Sequence, residues 1–286
     1  MDRPAPPELV SGLSEIAPRF GAILCDVWGV VHNGIVPFAP AVEALTRFRE
    51  GGGIVILVTN APRPNWSVQE QLDRIGVQSG AYDRIVTSGD VARGLLAQQE
   101  GARVFHLGPE RDLSLYEGLR VELSSPEEAE VASCTGLIDD ETEVTEDYDP
   151  ILLRLAALNL NMVCANPDIV VERGDRLIPC AGALAVRYRA LGGRTIVVGK
   201  PFARIYEIAT AEVAAVHGVP IERDRILAVG DGAATDIRGA NEAGLASLFI
   251  TAGIHAAEYG ADPDRVGAFL GRSRARATGM MQRLAW

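Results

Sequence analysis

Apolar runs that end abruptly in a polar residue recur along this chain. Ala22-Ile23-Leu24-Cys25 runs into Asp26, and Ile54-Val55-Ile56-Leu57-Val58 runs into Thr59-Asn60. Ile226-Leu227-Ala228-Val229 ends in Gly230-Asp231-Gly232, with Thr235-Asp236 close behind. Runs this apolar face water on neither side, which predicts strands of a parallel sheet covered by helices. Between them, apolar residues recur at helical spacing. Val42, Leu45 and Phe48 define a helix over 39–50, stopped by Gly51-Gly52-Gly53. The same spacing predicts helices over 66–75, 91–99, 205–216 and 237–243, and short apolar runs predict strands at 85–88 and 247–250. Residues 8–19 predict a short leading helix. Residues 264–286 predict one or two amphipathic helices with Arg272, Arg274, Arg276 and Arg283 on the wet side. Alternation of strand and helix is the pattern of a doubly wound α/β domain.

The texture changes near Gly101. Over 102–195 come the apolar segment Arg103–Leu107, a predicted helix at 151–158, and a strand at 162–165. The turn Asn166-Pro167-Asp168 follows, then a hairpin of 169–171 with 177–178, and a helix at 182–191 closed by Gly192-Gly193. The first texture returns with Arg194-Thr195-Ile196-Val197-Val198, read as a buried strand leading to Gly199-Lys200-Pro201. The expected organisation is a core of residues 1–101 and 196–286 with an inserted second domain at 102–195.

Length and composition set bounds on this picture. The 286 residues fit one large or two ordinary domains, and 48% hydrophobic content is that of a globular chain. A formal net charge of −11 makes nucleic acid and anionic membrane poor general partners. The excess is local: 121–150 holds eleven acids and neither Lys nor Arg, and the remaining acids and bases balance at 27 each. That stretch reads as a solvated face of one module, or as a docking surface for a basic partner. Cys25, Cys134, Cys164 and Cys180 form no Cys-x-x-Cys pair and suit buried free thiols, with a reducing cytoplasm as the expected location. The polar, Pro-rich residues 1–7 do not read as a signal peptide, and no apolar run reaches the roughly 18 residues of a membrane span.

Any one of the polar strand ends could be a turn former or a helix cap. Together, Asp26, Thr59, Lys200, Asp231 and Asp236 need one explanation. Carboxylates gathered at one sheet edge repel each other unless a cation joins them. Hard oxygen ligands without His or Cys favour Mg²⁺ over zinc, and such an ion keeps positions open for phosphate oxygens. A lysine supplies a point charge for the same phosphate, and Thr59-Asn60 supplies a hydroxyl and backbone N–H donors. An aspartate placed beside a bound phosphoryl group can act as nucleophile.

On these residues the chain resembles the haloacid dehalogenase superfamily of aspartyl-phosphate hydrolases. Within it, the chain is similar to the class that carries a large cap, of the C2 type, between the second and third motifs: phosphatases of the NagD type and those acting on pyridoxal phosphate and phosphoglycolate. The resemblance runs from about Ala22 to Gly253. It implies a Rossmann-like core with a doubly wound parallel sheet and an inserted α/β cap. It implies Asp26 as nucleophile, Thr59 as the phosphate-binding hydroxyl, and Lys200 as the cation of the third motif. Asp231 would ligate Mg²⁺, and Asp236 would orient Lys200 or a metal-bound water. The metal set would be Asp26, the backbone carbonyl of Trp28, Asp231 and Asp236. Asn60 and Asp168 would join Thr59 and Lys200 in binding substrate, and two copies would pair through the cap.

One departure matters. The resembling phosphatases carry Asp-x-Asp-Gly, whereas this chain has Asp26-Val27-Trp28-Gly29. The second Asp is their general acid and base, and an indole can be neither. Such help is typically worth about 10²–10⁴-fold in rate. A substrate with a good leaving group, such as an acyl or aryl phosphate, would need no acid. His32 could substitute or be a plain loop histidine. Asp168 could approach from the cap or merely form its turn. Trp28 could fill space or stack on an aromatic substrate, and Arg63 could face a substrate anion or solvent. The expected function is Mg²⁺-dependent phosphate release from a small phosphorylated metabolite through an aspartyl phosphate. The alternatives are a non-catalytic binder of phosphorylated metabolites and a hydrolase of another bond.

Overall fold

The computed structural model describes residues 6–173, 176–253 and 256–286. Residues 1–5 of the Pro-rich start lie outside the described residues. The chain forms two compact units. The first takes the described part of Met1–Thr59 with Gln69–Val86 and Lys200–Trp286, and the second takes Asn60–Val68 and Thr87–Gly199. The second unit therefore includes 60–68 and 87–101 besides the segment that the change of texture marks off.

The first unit is built on a parallel sheet of seven strands. In spatial order they are Glu8–Leu9, Gly279–Met281, Ala246–Ile250, Ile226–Gly230, Ala22–Cys25, Ile54–Thr59 and Arg84–Thr87. The three strands at 226–230, 22–25 and 54–59 are buried along their whole length, as their unbroken apolar runs require. Their register sets Val229 beside Cys25 and Cys25 beside Leu57, so the three chains leave the sheet at one level. From Ala22–Cys25 the chain winds first to Ile54–Thr59 and Arg84–Thr87. It later returns on the other side of Ala22–Cys25 with Ile226–Gly230. The order thus reverses between Ala22–Cys25 and Ile226–Gly230, and open α/β sheets bind ligands at the carboxyl ends of such a pair. The helices Ala39–Glu50 and Ala203–His217 belong to this unit, and Gly218 ends the latter in a left-handed conformation at φ 88°.

The second unit has its own parallel sheet, in the order Arg194–Val197, Asn161–Cys164, Val131–Cys134, Arg103–Leu107 and Glu122–Leu123. Leu107, Leu152, Met162, Leu184 and Tyr188 pack into its core. Val170–Arg173 and Arg176–Pro179 pair antiparallel, the hairpin expected from the sequence. No helix of the described residues is long and apolar enough to cross a membrane. All four cysteines are free and buried.

Four local expectations are corrected. Glu8–Leu9 is an edge strand paired with 279–280, and the leading helix is only Leu13–Ile16 plus a 3₁₀ turn. Only Pro263–Arg272 of the C-terminal stretch is helical, and Gly279–Met281 is a strand. Arg283 stacks over the Phe38 ring at 5.3 Å. The run before Lys200 is not a buried strand of the first sheet. Arg194–Val197 is the half-exposed edge of the second, with Ile196 46% exposed. Finally, the acidic stretch hides a fully buried strand, Val131–Cys134, in the middle of the second sheet. Its acids are not simply solvated either: Asp140 and Glu141 pair with Arg173, Arg111 with Asp140, Arg176 with Glu141, and Arg187 with Glu146 and Asp149.

Candidate active site

Asp26 is the first residue beyond the strand Ala22–Cys25, and its N–H donates to the Val229 carbonyl at 2.8 Å. This ladder bond fixes the aspartate between the carboxyl ends of two neighbouring strands. Asp231 leaves the sheet next to it, one residue past Ile226–Gly230. Asp236 follows on a short π-helical turn, Ala233–Ile237. Such wide turns are frequent at functional sites. Here the turn brings the Asp236 carboxylate back to accept the Gly232 N–H at 3.0 Å. The Tyr206 hydroxyl donates to the Asp236 backbone carbonyl at 3.1 Å. The glycines flanking Asp231 leave no choice of residue. A Cβ on Gly230 would lie 2.3 Å from the Asp236 Cβ, and one on Gly232 would lie 2.0 Å from Thr235 Oγ1.

Carboxylate oxygens of Asp26, Asp231 and Asp236 all lie within 4.8 Å of one another. Among the described residues this is the one such group of three or more potential metal ligands. Lys200 enters it from the first residue of its own segment. Its ammonium donates to Asp26 Oδ1 at 2.5 Å, to the Val58 carbonyl at 2.9 Å, and pairs with Asp236 Oδ1 at 2.8 Å. Asp26, Lys200 and Asp236 are 7%, 3% and 5% exposed. Burial pushes the Asp26 carboxyl up, the Asp236 charge pushes it further and Lys200 pulls it back, leaving it at about 7. Burial acts against the Lys200 charge, but Asp236 and Asp26 outweigh it and hold the ammonium well above the usual lysine range. The donors are hard oxygens, and this donor set fits a small divalent cation.

Thr59 ends the neighbouring strand and is buried, directly after the Val58 carbonyl that holds Lys200. Of the predicted site residues, the structure thus gathers Asp26, Lys200, Asp231 and Asp236 in the first unit, with Thr59 at the adjoining strand end. Asn60 and Asp168 fall in the second unit, where they bond to each other: Asn60 Nδ2 donates to Asp168 Oδ1 at 2.9 Å. The Asp168 N–H in turn donates to Asn166 Oδ1 at 2.9 Å, and the carbonyls of Pro167 and Asp168 pack where Gly182 has no Cβ. Arg63 faces an anion of the protein itself, Asp112, at 3.7 Å.

The loop after Asp26 is tightly built. Trp28 and His32 form a bridge, and the Gly29 N–H donates to the His32 carbonyl at 2.8 Å. Gly29 has φ 85°, and a Cβ there would lie 2.2 Å from Asp231 Oδ2. His32 is buried, its Nδ1 accepts the Gly34 N–H at 2.8 Å, and its ring meets the Trp28 ring edge-on at 5.1 Å. These contacts give His32 a packing role. Sequence reasoning missed the close approaches at Gly29 and at Gly253, whose Cβ would lie 2.7 Å from Asp231 Oδ2. It also missed Tyr206. The Gly29 signal was present in the text of the chain, as a glycine just past the acid, whereas nothing local marks Tyr206.

Two adjacent strand ends carrying acids, a bridging lysine and a second α/β unit define a hydrolase of the haloacid dehalogenase type, and the chain belongs to the haloacid dehalogenase-like hydrolases. The model of that description matches residues 23–122, and a second, HAD-hydrolase-like model matches 197–271. The D-glycerol 3-phosphate phosphatase of Mycobacterium tuberculosis is 31% identical over 256 residues, 86% of this chain and 67% of that one. A solved hydrolase of the haloacid dehalogenase-like family from Brucella suis 1330 is 49% identical, with a TM-score of 0.88 over 97% of this chain and all of that one. The glycerol phosphate phosphatase of Mycobacterium tuberculosis in complex with magnesium superposes with a TM-score of 0.67 at 26% identity, over 96% of this chain and 77% of that one.

Proposed function

We propose that this hydrolase is a Mg²⁺-dependent phosphatase of a small phosphorylated metabolite, with Asp26 as nucleophile. The observation that carries the reading is the cluster of Asp26, Asp231 and Asp236 at the strand ends, with the Lys200 ammonium bridging Asp26 and Asp236. Asp26, Asp231, Asp236 and the backbone carbonyl of Trp28 would hold the ion, which when bound supplies positive charge to phosphoryl oxygens. Lys200 and Thr59 hold the phosphoryl group against Asp26. An Asp26 oxygen bonds to phosphorus as the ester oxygen leaves with the bonding pair. Water then attacks the aspartyl phosphate, releasing phosphate and restoring the carboxylate. Positioning and charge neutralisation carry most of such a reaction. Asn60 and Asp168 are proposed as further substrate-binding residues. Location in the cytoplasm and pairing of two copies through the segment 102–195 belong to the same reading.

The relatives named as phosphatases, and the magnesium in one of their structures, support this assignment. It is tested by phosphate release from a panel of metabolite, aryl and acyl phosphates with Mg²⁺ or with EDTA. Turnover is expected with Mg²⁺ only, and Asp26→Asn lowers it on the order of 10⁴–10⁶-fold, the scale of losing a nucleophile. Tight binding of a phosphate ester without turnover would replace this reading with that of a binding protein. Phosphate release that ignores EDTA would remove the metal from this reading.

A further inference from the structure

Trp28 stands two residues past Asp26, and among the described residues of the first unit Lys200, Tyr206 and His32 are each engaged in hydrogen bonds. Lys200 is locked between Asp26, Asp236 and the Val58 carbonyl. Tyr206 spends its hydroxyl on the Asp236 carbonyl. His32 is buried, with Nδ1 accepting a backbone N–H and its ring edge on Trp28. Trp28 itself is held in place. Gly34 has φ 88°, and a Cβ there would lie 2.5 Å from the indole ring, so loop and ring fit only with glycine. The ring is clamped on this side by Gly34 and His32, yet the residue is only half-buried. Asp26 is therefore followed by a rigid, partly open aromatic surface where a proton donor would serve an alkoxide leaving group.

We propose that the leaving oxygen departs without a proton, so that the substrate is a phosphate ester or anhydride of an acidic hydroxyl (a phenol, an enol or a carboxylic acid), with Trp28 positioning the leaving group. The inference rests on the phosphatase reading above. The step balances without an acid. The bond from Asp26 to phosphorus forms, the bond from phosphorus to the leaving oxygen breaks, and that oxygen keeps the electron pair as a stabilised anion. In the second step the proton lost by the attacking water passes to solvent.

The test measures kcat/KM with Mg²⁺ for a series of aryl, alkyl and acyl phosphates ordered by leaving-group pKa. It is run on the wild type, Trp28→Phe and Trp28→Asp. In the wild type the rate falls steeply from aryl to alkyl esters. Trp28→Asp restores a donor and narrows the aryl-to-alkyl ratio by about 10²–10⁴-fold. Trp28→Phe keeps the steep dependence and raises KM for aromatic esters. Alkyl esters turned over by the wild type within a few-fold of aryl esters would overturn the inference and leave the phosphatase reading standing. Absence of release from every ester, the aryl ones included, would remove that reading instead. Should Trp28→Asp fail to fold, the slope of the wild type decides alone.

Discussion

The molecule gathers acids in two places and treats them differently. In the first unit Asp26, Asp231 and Asp236 meet at a sheet edge around one buried lysine. In the second unit Asp140 and Glu141 meet three arginines, with Asp140 gripped by two bonds from Arg173 at 3.0 and 2.8 Å and by Arg111 at 2.5 Å. The second cluster is matched acid by acid with arginines, three to two, and reaches the surface, so water and arginine together satisfy it. The first draws its carboxylate oxygens within 4.8 Å of one another, with Asp26 and Asp236 buried. Stability alone gives no reason to gather acids at buried strand ends, since packed apolar residues do as well or better. The convergence of hard oxygens on one point, more than the acidity, is what marks a site for a ligand that brings positive charge.

The largest test of that contrast removes the Lys200 ammonium. Lys200→Met leaves Asp26 and Asp236 buried without a partner and is expected to cost about 3–5 kcal/mol in chemical denaturation. Adding Asp26→Asn to it should recover part of that loss, because one carboxylate fewer then remains unpaired. If Lys200→Met unfolded at the wild-type denaturant midpoint, the ammonium would not be holding the cluster together.

A smaller effect separates the two clusters by ligand. Mg²⁺ is expected to raise the melting temperature, with a gain of about 2.7 kcal/mol at roughly a hundred times the dissociation constant. Asp231→Asn should abolish the gain, whereas Asp140→Asn should keep it in full. Stabilisation that survived Asp231→Asn but vanished in Asp140→Asn would place the cation among the surface acids and reverse the comparison.

The same contrast explains what could be read in advance. The sheet around Asp26 was legible because its strands are continuous apolar runs, and the helix Ala39–Glu50 because its period and its stop signal agree. Edge strands carry no such signal. Glu8–Leu9 is two exposed residues held by distant backbone, and Gly279–Met281 is three residues in a region of helical composition. Val131–Cys134 was masked by acids on both sides, although its own residues are all buried. Arg194–Val197 was read as a strand but assigned to the wrong sheet, since its partner Asn161–Cys164 is specified by tertiary packing alone. At the site, residue types and flanking glycines were visible in the sequence. The bridging of Asp26 and Asp236 by Lys200, and the pairing of Asn60 with Asp168, are long-range contacts that no local spacing encodes.

The smallest effect lies in the matched cluster and is read by pH. The Arg173 hydrogen bonds hold the Asp140 carboxyl below its usual value against a partial burial that pushes it up, and Arg111 adds to the lowering. A carboxyl whose pKa is lower folded than unfolded stabilises the fold above the unfolded value, about 3.9, and loses that contribution as pH falls through the folded value. Asp140→Asn should therefore be less stable than the wild type at pH 7, by about 1 kcal/mol for a partly exposed pair. The gap should begin to close below about pH 4 and vanish once the wild-type carboxyl is protonated in both states. High salt at pH 7 should narrow the same gap, because the arginines stand at the surface where mobile ions screen them. Denaturation curves of the two proteins from pH 7 down to the acid limit provide the check. A gap that stayed constant with pH would mean that Asp140 contributes shape and hydrogen bonds, not charge, and the matched cluster would then owe nothing to its ion pairs.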